Sequence, residues 1–187
     1  MAGFEPLGKP RFRVESEGGS ERIVIPASKS WFALPFLMVW LVGWTFGGIA
    51  AIGEVASGSD QTGFLLLWLI GWAVGWLFVA TWIGWQLSGK EFLSVESGAL
   101  VRGWSILGLG RSKRYDLNHV EDITGAAPPF PYGMMRVSYP PFLPAFFGSV
   151  KWNYGAATVH AASGLSEAEG KMVAERLRAR MPAGQRG

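Results

Sequence analysis

Residues 31–52 read WFALPFLMVWLVGWTFGGIAAI, residues 63–87 read GFLLLWLIGWAVGWLFVATWIGWQL, and neither run contains a charged side chain. As a helix that rises about 1.5 Å per residue, the first run would be roughly 33 Å long, enough to cross a bilayer core of about 30 Å. The second run is slightly longer, so it can cross the same core with some tilt. Because a backbone in lipid must satisfy its own polar groups, both runs are predicted to be helices of a transmembrane hairpin, closed by residues 53–62.

The composition of the whole chain is typical of a membrane protein with a modest soluble part. Of the 187 residues, 49% are hydrophobic and ten are tryptophan, and the mean hydropathy is +0.22. The absence of cysteine excludes disulfides, thiolate catalysis and thiolate metal sites. The net charge of +3 is small and its cations flank the hydrophobic runs, so they indicate membrane topology and not nucleic-acid binding.

The distribution of charge predicts how the hairpin is oriented. Basic side chains lie before the first run and after the second, at Lys9, Arg11, Arg13, Arg22, Lys29, Lys90 and Arg102. The connecting turn carries only the acidic Glu54 and Asp60. By the positive-inside rule, we expect a multi-pass protein of the inner (cytoplasmic) membrane with both its N-terminus and its C-terminus in the cytoplasm.

Small and aromatic residues recur every four positions in the predicted spans. The rows are Gly43 and Gly47 in the first span, and Gly71 and Gly75 with Trp68, Trp72 and Trp76 in the second. The glycine rows allow close backbone approach, so they either pack the hairpin on itself or dock a helix of another membrane protein. A buried indole N–H needs an acceptor that lipid tails lack, so we expect the tryptophan row to face protein, a bound lipid or a pigment. Neither run contains an ionisable residue, which argues against an ion path or a transporter.

Residues 88–187 carry the pattern of a small soluble α+β domain, and residues 1–30 that of an N-terminal tail with a β-ribbon. Before the first span, apolar residues on both sides of Gly18-Gly19 predict a short β-ribbon that packs on a larger sheet. After the second span, alternating segments predict antiparallel strands at 92–95, 99–104, 111–117, 120–124, 135–138, 149–152 and 157–160. Ser166 and Glu169 form a capping box for one helix over residues 167–181. Strands followed by one helix predict a small antiparallel β-barrel capped by that helix.

Short motifs are scattered over most of the chain. They are RIVIPA at 22–27, SW at 30–31, WQLSGKE at 85–91, LGLGR at 107–111, YDL at 115–117, WNYG at 152–155 and GLSEAE at 164–169. In these motifs the chain resembles small bacterial membrane proteins in which a two-helix transmembrane hairpin precedes a pleckstrin-homology-like domain. The resemblance implies a barrel with a capping helix, a scaffold used for lipid or protein contacts, with no catalytic residues.

Residues 126–147 form a segment rich in proline and aromatic residues that departs from this pattern. Its large aromatic side chains include Phe130, Tyr132, Phe142, Phe146 and Phe147. The segment is too long and too apolar for an ordinary hairpin loop. Either it is a docking loop that lies on the membrane interface or inserts into a partner, or it folds back on the barrel as irregular core.

The usual signals of catalysis and of cofactor binding are missing. The GLG of residues 108–110 is not followed by a third glycine in a βαβ unit, so it indicates a turn and not a dinucleotide loop. His119 and His160 show no ligand spacing, and no carboxylate on the predicted strands has a partnered base. We therefore expect no enzyme activity, no metal site and no cofactor.

Two functions fit these observations. The first is a non-catalytic accessory or assembly subunit, which binds a larger membrane complex, such as a photosynthetic or respiratory one, through its hairpin and aromatic loop. The second is a membrane-anchored lipid- or signal-sensing module. In that case a basic set could meet anionic headgroups at about 1 kcal/mol per contacting charge, although such a set can also be a merely solvated strand face. That set comprises Arg102, Arg111, Lys113 and Arg114.

Overall fold

The computed structural model describes residues 10–17, 20–58, 60–127 and 148–182. The chain divides into two compact units, of which one is Lys29–Leu87 and the other combines Met1–Ser28 with Ser88–Gly187. We call them the helical unit and the β unit. The chain therefore leaves the β unit once, forms the helical unit and returns.

The helical unit is a hairpin of two long helices, α1 (Ala33–Ala56) and α2 (Thr62–Ser88). Both are long and apolar enough to cross a membrane. The turn between them is shorter than predicted, because α1 continues through Glu54 to Ala56. Gly58 then adopts a φ of +74°, a left-handed conformation that glycine accepts readily and that ends the helix.

The first part of the β unit is a five-stranded antiparallel sheet. Its strands follow the order β1 (Arg13–Glu17), β2 (Ser20–Pro26), β3 (Lys90–Glu96), β4 (Ala99–Ile106) and β5 (Leu109–Asp116). As predicted, the N-terminal ribbon joins the larger sheet, since Ile23 of β2 lies opposite Leu93 of β3. Strands from before and after the helical unit are therefore hydrogen-bonded neighbours.

The second part of the β unit is a three-stranded antiparallel sheet followed by a helix. The sheet comprises β6 (Val120–Gly125), β7 (Val150–Tyr154) and β8 (Ala157–Ala161), and the helix is α3 (Glu167–Ala179). These strands match the predicted ones closely, whereas the predicted strand at 135–138 lies outside the described residues. The protein thus combines a helical hairpin with an α+β unit.

The described strands do not form the closed barrel that the sequence pattern predicts. They form two sheets, and among the residues that the structure describes no hydrogen-bonded ladder joins β5 to β6. A short 3-10 turn at Leu117–His119 separates the two strands, and the Asp116 side chain accepts a hydrogen bond from the Asn118 N–H at 2.9 Å. This turn breaks the ladder, so the two sheets are separate.

One hydrophobic core serves both sheets and α3. Leu93 and Leu100 of the first sheet, Trp152 of the second and Val173 of α3 are fully buried in it. The Tyr115 ring meets the Trp152 ring edge-on, with 5.4 Å between the centroids. The inner faces of the two sheets are therefore removed from water because they pack against each other and α3, and not because the strands close into a barrel.

The start of α3 is tied down by the predicted capping box. The Ser166 hydroxyl accepts from the Glu169 N–H at 3.3 Å, and the Glu169 carboxylate accepts from the Ser166 N–H at 2.9 Å. The other carboxylate oxygen accepts from the Arg11 N–H at 2.9 Å, so it also holds the chain just before β1. Burial alone would raise the pKa of Glu169, but these hydrogen bonds and the Arg11 charge outweigh it and hold the pKa below its ordinary value.

The lowered pKa of Glu169 predicts how this cap responds to acid. A carboxyl group with a lower pKa in the folded state stabilises the fold above its unfolded pKa, and that contribution is lost as the pH falls through the folded value. Relative to Glu169→Gln, the wild-type chain should be more stable by about 1 kcal/mol at neutral pH, the usual worth of a helix cap. The difference should shrink once the pH drops below the ordinary glutamate pKa of 4.5. Urea unfolding of both proteins at several pH values measures it, and a difference that does not change with pH would contradict it.

Candidate functional site

One end of the five-stranded sheet is connected directly to both long helices. The chain leaves β2 toward α1 at Pro26 and enters β3 from α2 at Lys90, and these two residues are paired across the ladder. Just beyond this pair, the Ala27 N–H donates to the Gly89 carbonyl at 2.9 Å. The same row continues across β4 and β5 through Ser105 and Gly110. We call this row the helix-connected end of the sheet.

A cleft of about 420 Å³ extends from this end past the middle of the sheet and draws on every strand. Its lining consists of Glu15, Arg22, Val24, Lys90, Phe92, Trp104, Ser105, Gly108, Gly110, Arg111 and Ser112. Three of these side chains are cationic and one is anionic, so the lining has a positive charge. We call it the basic cleft.

The three cations of the basic cleft are held in different ways. The Arg22 guanidinium lies over the Phe92 ring, 3.7 Å from its centroid, in a cation–π contact. Lys90 and Arg111 are exposed, and neither forms an ion pair with another described residue. A guanidinium can offer a planar pair of donors to a phosphate, and an ammonium adds a compact charge, so the cleft is chemically suited to a phosphate group.

Of the four basic residues predicted to meet anionic headgroups, only Arg111 lines the cleft. Lys113 lies over the Tyr115 ring, 5.0 Å from its centroid, and the Arg114 guanidinium donates to the Glu96 carbonyl at 3.4 Å. Both side chains are on exposed positions of β5 outside the cleft lining. The structure therefore does not bring the predicted set together at one site.

Arg102 is a correction to that prediction, because its side chain is mostly buried in an ion pair with Glu91. Its Nε donates to Glu91 Oε1 at 2.9 Å, and the exposed fractions of the two side chains are only 15% and 4%. The other Glu91 oxygen accepts from the Ala162 N–H at 2.9 Å. Arg102 thus neutralises a buried carboxylate that ties β3 to the end of β8, and it is not available for a lipid headgroup.

The helical unit contains a cluster of tryptophans between its two helices. The Trp44 and Trp72 rings meet edge-on, with 6.4 Å between their centroids, and the Trp40 ring contacts the Trp44 ring at a tilt of 58°, with 4.2 Å between their centroids. The Trp76 indole N–H donates to the Thr45 hydroxyl at 2.8 Å, which joins α2 to α1. At Trp76, the protein group that accepts from the indole is therefore Thr45 of the same hairpin.

Some glycines of the hairpin lie against the facing helix, and others do not. A Cβ added at Gly75 would lie 2.8 Å from the Trp44 ring, so Gly75 makes room for a side chain of the facing helix. Gly48, which lies outside the predicted rows, does the same for Trp72. At Gly43, Gly47 and Gly71 a Cβ would meet no atom within 4 Å, so these residues do not pack the hairpin on itself. The other two tryptophans of the predicted row differ in their surroundings. Trp68 is 42% exposed, and the buried Trp72 Nε1 has no acceptor among the described residues.

The remaining candidate residues add no chemistry to these two sites. The predicted docking loop, with Phe130, Tyr132, Phe142, Phe146 and Phe147, lies outside the described residues. His119 is exposed with Nδ1 3.9 Å from Asp116. In the part of the chain that the structure describes, no three His, Asp or Glu residues are grouped so that they could hold a metal ion.

The most informative residues of the cleft are ones that the strand pattern does not single out. Lys90 is the first cation after the second hydrophobic run, so it is evident in the sequence only as a topology signal. Arg22 reaches the cleft because β2 pairs with β3 across the inserted helical unit.

No protein-family model, curated protein or solved structure matches the chain.

Proposed function

We propose that the protein is a non-catalytic module, anchored in the bacterial cytoplasmic membrane by α1 and α2, whose β unit binds an anionic phospholipid headgroup in the basic cleft. One observation carries the proposal. The basic cleft begins at the end of the sheet where the chain connects to both helices of membrane-spanning length, and two of its three cations, Lys90 and Arg111, lie at or next to that end. A site so close in the chain to two spans would lie near the lipid phosphates.

The distribution of charge supports the same arrangement. Positive residues flank the two hydrophobic runs and acidic residues occupy the turn, so the β unit and both termini would be cytoplasmic. The cytoplasmic leaflet carries the anionic lipids that a positive cleft attracts. The pleckstrin-like scaffold that the sequence resemblance implies is part of the proposal, and its support is the antiparallel strands with a C-terminal helix, without the closed barrel.

The residues of the cleft have complementary roles toward a phosphodiester. Arg111 would supply a bidentate pair of N–H donors, and Lys90 a point charge beside it. The hydroxyls of Ser105 and Ser112 line the same cleft and can donate to a glycerol headgroup or to the phosphate. Glu15 also lines the cleft, where its carboxylate would lower the affinity for any anion.

Titration of the detergent-solubilised full chain with short-chain phosphatidylglycerol tests this site. The double variant Lys90→Gln with Arg111→Gln removes two cations, so the Kd should rise roughly 30-fold at about 1 kcal/mol per charge. The matched control is Lys113→Gln with Arg114→Gln, which makes the same change of charge on exposed β5 positions outside the cleft. Equal weakening by both double variants, or equal binding of a zwitterionic lipid, would overturn the proposal.

A second function, that of an accessory or assembly subunit of a larger membrane complex, is favoured by the helical unit. Gly43, Gly47 and Gly71 contact no part of their own hairpin, and small residues of this kind let a helix of another protein approach closely. The Trp72 indole would find its missing acceptor on such a partner, or on a bound lipid or pigment. Purification in mild detergent distinguishes the functions: co-purifying subunits or pigments favour this role, and a lone chain with anionic lipid favours the first.

A further inference from the structure

The five-stranded sheet has two tight turns of the same construction at its two ends. Ser97-Gly98 joins β3 to β4 with φ values of +48° and +74°, and Leu107-Gly108 joins β4 to β5 with φ values of +51° and +83°. Positive φ at both positions is the signature of a two-residue type I′ hairpin turn. Such turns favour Asn, Asp or Gly at the first position, because a left-handed backbone strains other residues.

The turn at the helix-connected end is unusual because Leu107 in the turn and Leu109 directly after it are both exposed to solvent. Leu107 and Leu109 are 77% and 79% exposed, the highest values among the large hydrophobic residues described in the β unit. The next most exposed, Met172, reaches 40%. In water alone, Leu107 would combine a left-handed backbone conformation, which is unfavourable for leucine, with the unfavourable exposure of an apolar side chain. The equivalent turn at the far end of the sheet has serine in this position.

The leucine turn lies where the chain comes back from the second long helix. The Leu107 N–H donates to the hydroxyl of Ser88, the last residue of α2, at 3.0 Å. Gly108, between the two leucines, lines the basic cleft together with Lys90 and Arg111. Two exposed apolar side chains beside two cations that form no ion pair with another described residue are the pattern of a surface that lies in the membrane interface.

We infer that the turn Leu107-Gly108-Leu109 inserts into the acyl-chain boundary of the bilayer that α1 and α2 cross, with lipid as its occupant. This inference rests on the proposed membrane anchoring. Insertion of the two leucines gives the β unit a third attachment besides its two connections to the helices. It therefore fixes the orientation of the sheet on the membrane and holds the cations of the cleft at the depth of the phosphates.

The absence of native cysteine allows a direct test in the full chain. Single-cysteine variants Leu107→Cys and Leu109→Cys are labelled with an environment-sensitive fluorophore and reconstituted into phosphatidylcholine vesicles with about a third phosphatidylglycerol. Ser97→Cys is the matched control, because it occupies the same position of the same turn type at the opposite end. Quenchers attached to the lipid acyl chains should quench the labels at 107 and 109 about threefold more than the label at 97, with a blue-shifted emission.

Resistance to alkaline carbonate, measured on the same vesicles, separates the two proposals. If carbonate does not extract the chain, but the labels at 107 and 109 are as exposed to water as the label at 97, the insertion of the turn is overturned and the membrane anchoring is not. A chain that carbonate extracts would overturn the membrane anchoring and the insertion together. Quenching at 109 without quenching at 107 would also overturn insertion as stated, since both leucines are required to enter.

Discussion

Replacing Glu91 with alanine is expected to lower the free energy of unfolding of the β unit by about 3–5 kcal/mol, because it breaks a buried ion pair from one side. The guanidinium of Arg102, whose side chain is only 15% exposed, would lose the carboxylate that neutralises it. The Ala162 N–H would lose its acceptor as well, and an unsatisfied buried donor costs its full desolvation. Pulse proteolysis of the full chain across a urea series measures the loss.

The control for this prediction is a glutamate with the same charge but no buried partner. Glu121 is exposed on β6, so Glu121→Ala should change the unfolding free energy by no more than about 0.5 kcal/mol. Glu91→Gln, which retains an acceptor for Ala162 but loses the charge, should fall between the two. A Glu91→Ala variant as stable as Glu121→Ala would show that the pair contributes nothing to the fold.

The second large effect is expected in the helical unit, where two adjacent glycines should behave differently. Gly48→Leu forces a side chain into the space that the Trp72 ring occupies, so it should destabilise the hairpin by about 1–3 kcal/mol through overpacking. Gly47→Leu makes the same chemical change at a position with no atom within 4 Å of an added Cβ. Loss of helicity on titration of the detergent-solubilised chain with dodecyl sulfate compares the two. Equal destabilisation at both positions would contradict the helix packing described here.

The fold was largely predictable because its patterns are local. Two uncharged runs of sufficient length predict α1 and α2, and alternating segments on either side of a turn at Glu96-Ser97-Gly98 predict the neighbouring strands. The capping box at Ser166 predicts the start of α3 to the residue. Closure of a barrel was predicted wrongly, because it depends on which edge strands of the two sheets pair with each other, and no strand encodes that alone.

The candidate site was only partly predictable, because it depends on contacts between distant residues. The spacing of Gly43, Gly47, Gly71 and Gly75 shows that they form rows, but it does not give the rotation of each helix about its axis. That rotation determines which glycines face the other helix, and among these four only Gly75 lies against Trp44.

Charge has the same limit in the β unit. Glu91 and Arg102 become diagonal neighbours only through the β3–β4 register, so Arg102 looked free in the sequence. Arg22 joins Lys90 in the cleft only because strands on either side of the helical unit pair.

We propose that α1 and α2 anchor a cytoplasmic β unit in the membrane. Labelling of single cysteines in intact cells, with a maleimide that does not cross the membrane, tests this topology. The two variants are Ser57→Cys in the α1–α2 turn and Glu175→Cys on an exposed position of α3. We expect labelling at 57 in intact cells, and labelling at 175 only after the membrane is permeabilised. Labelling at 175 in intact cells, or removal of the chain from membranes by alkaline carbonate, would contradict it.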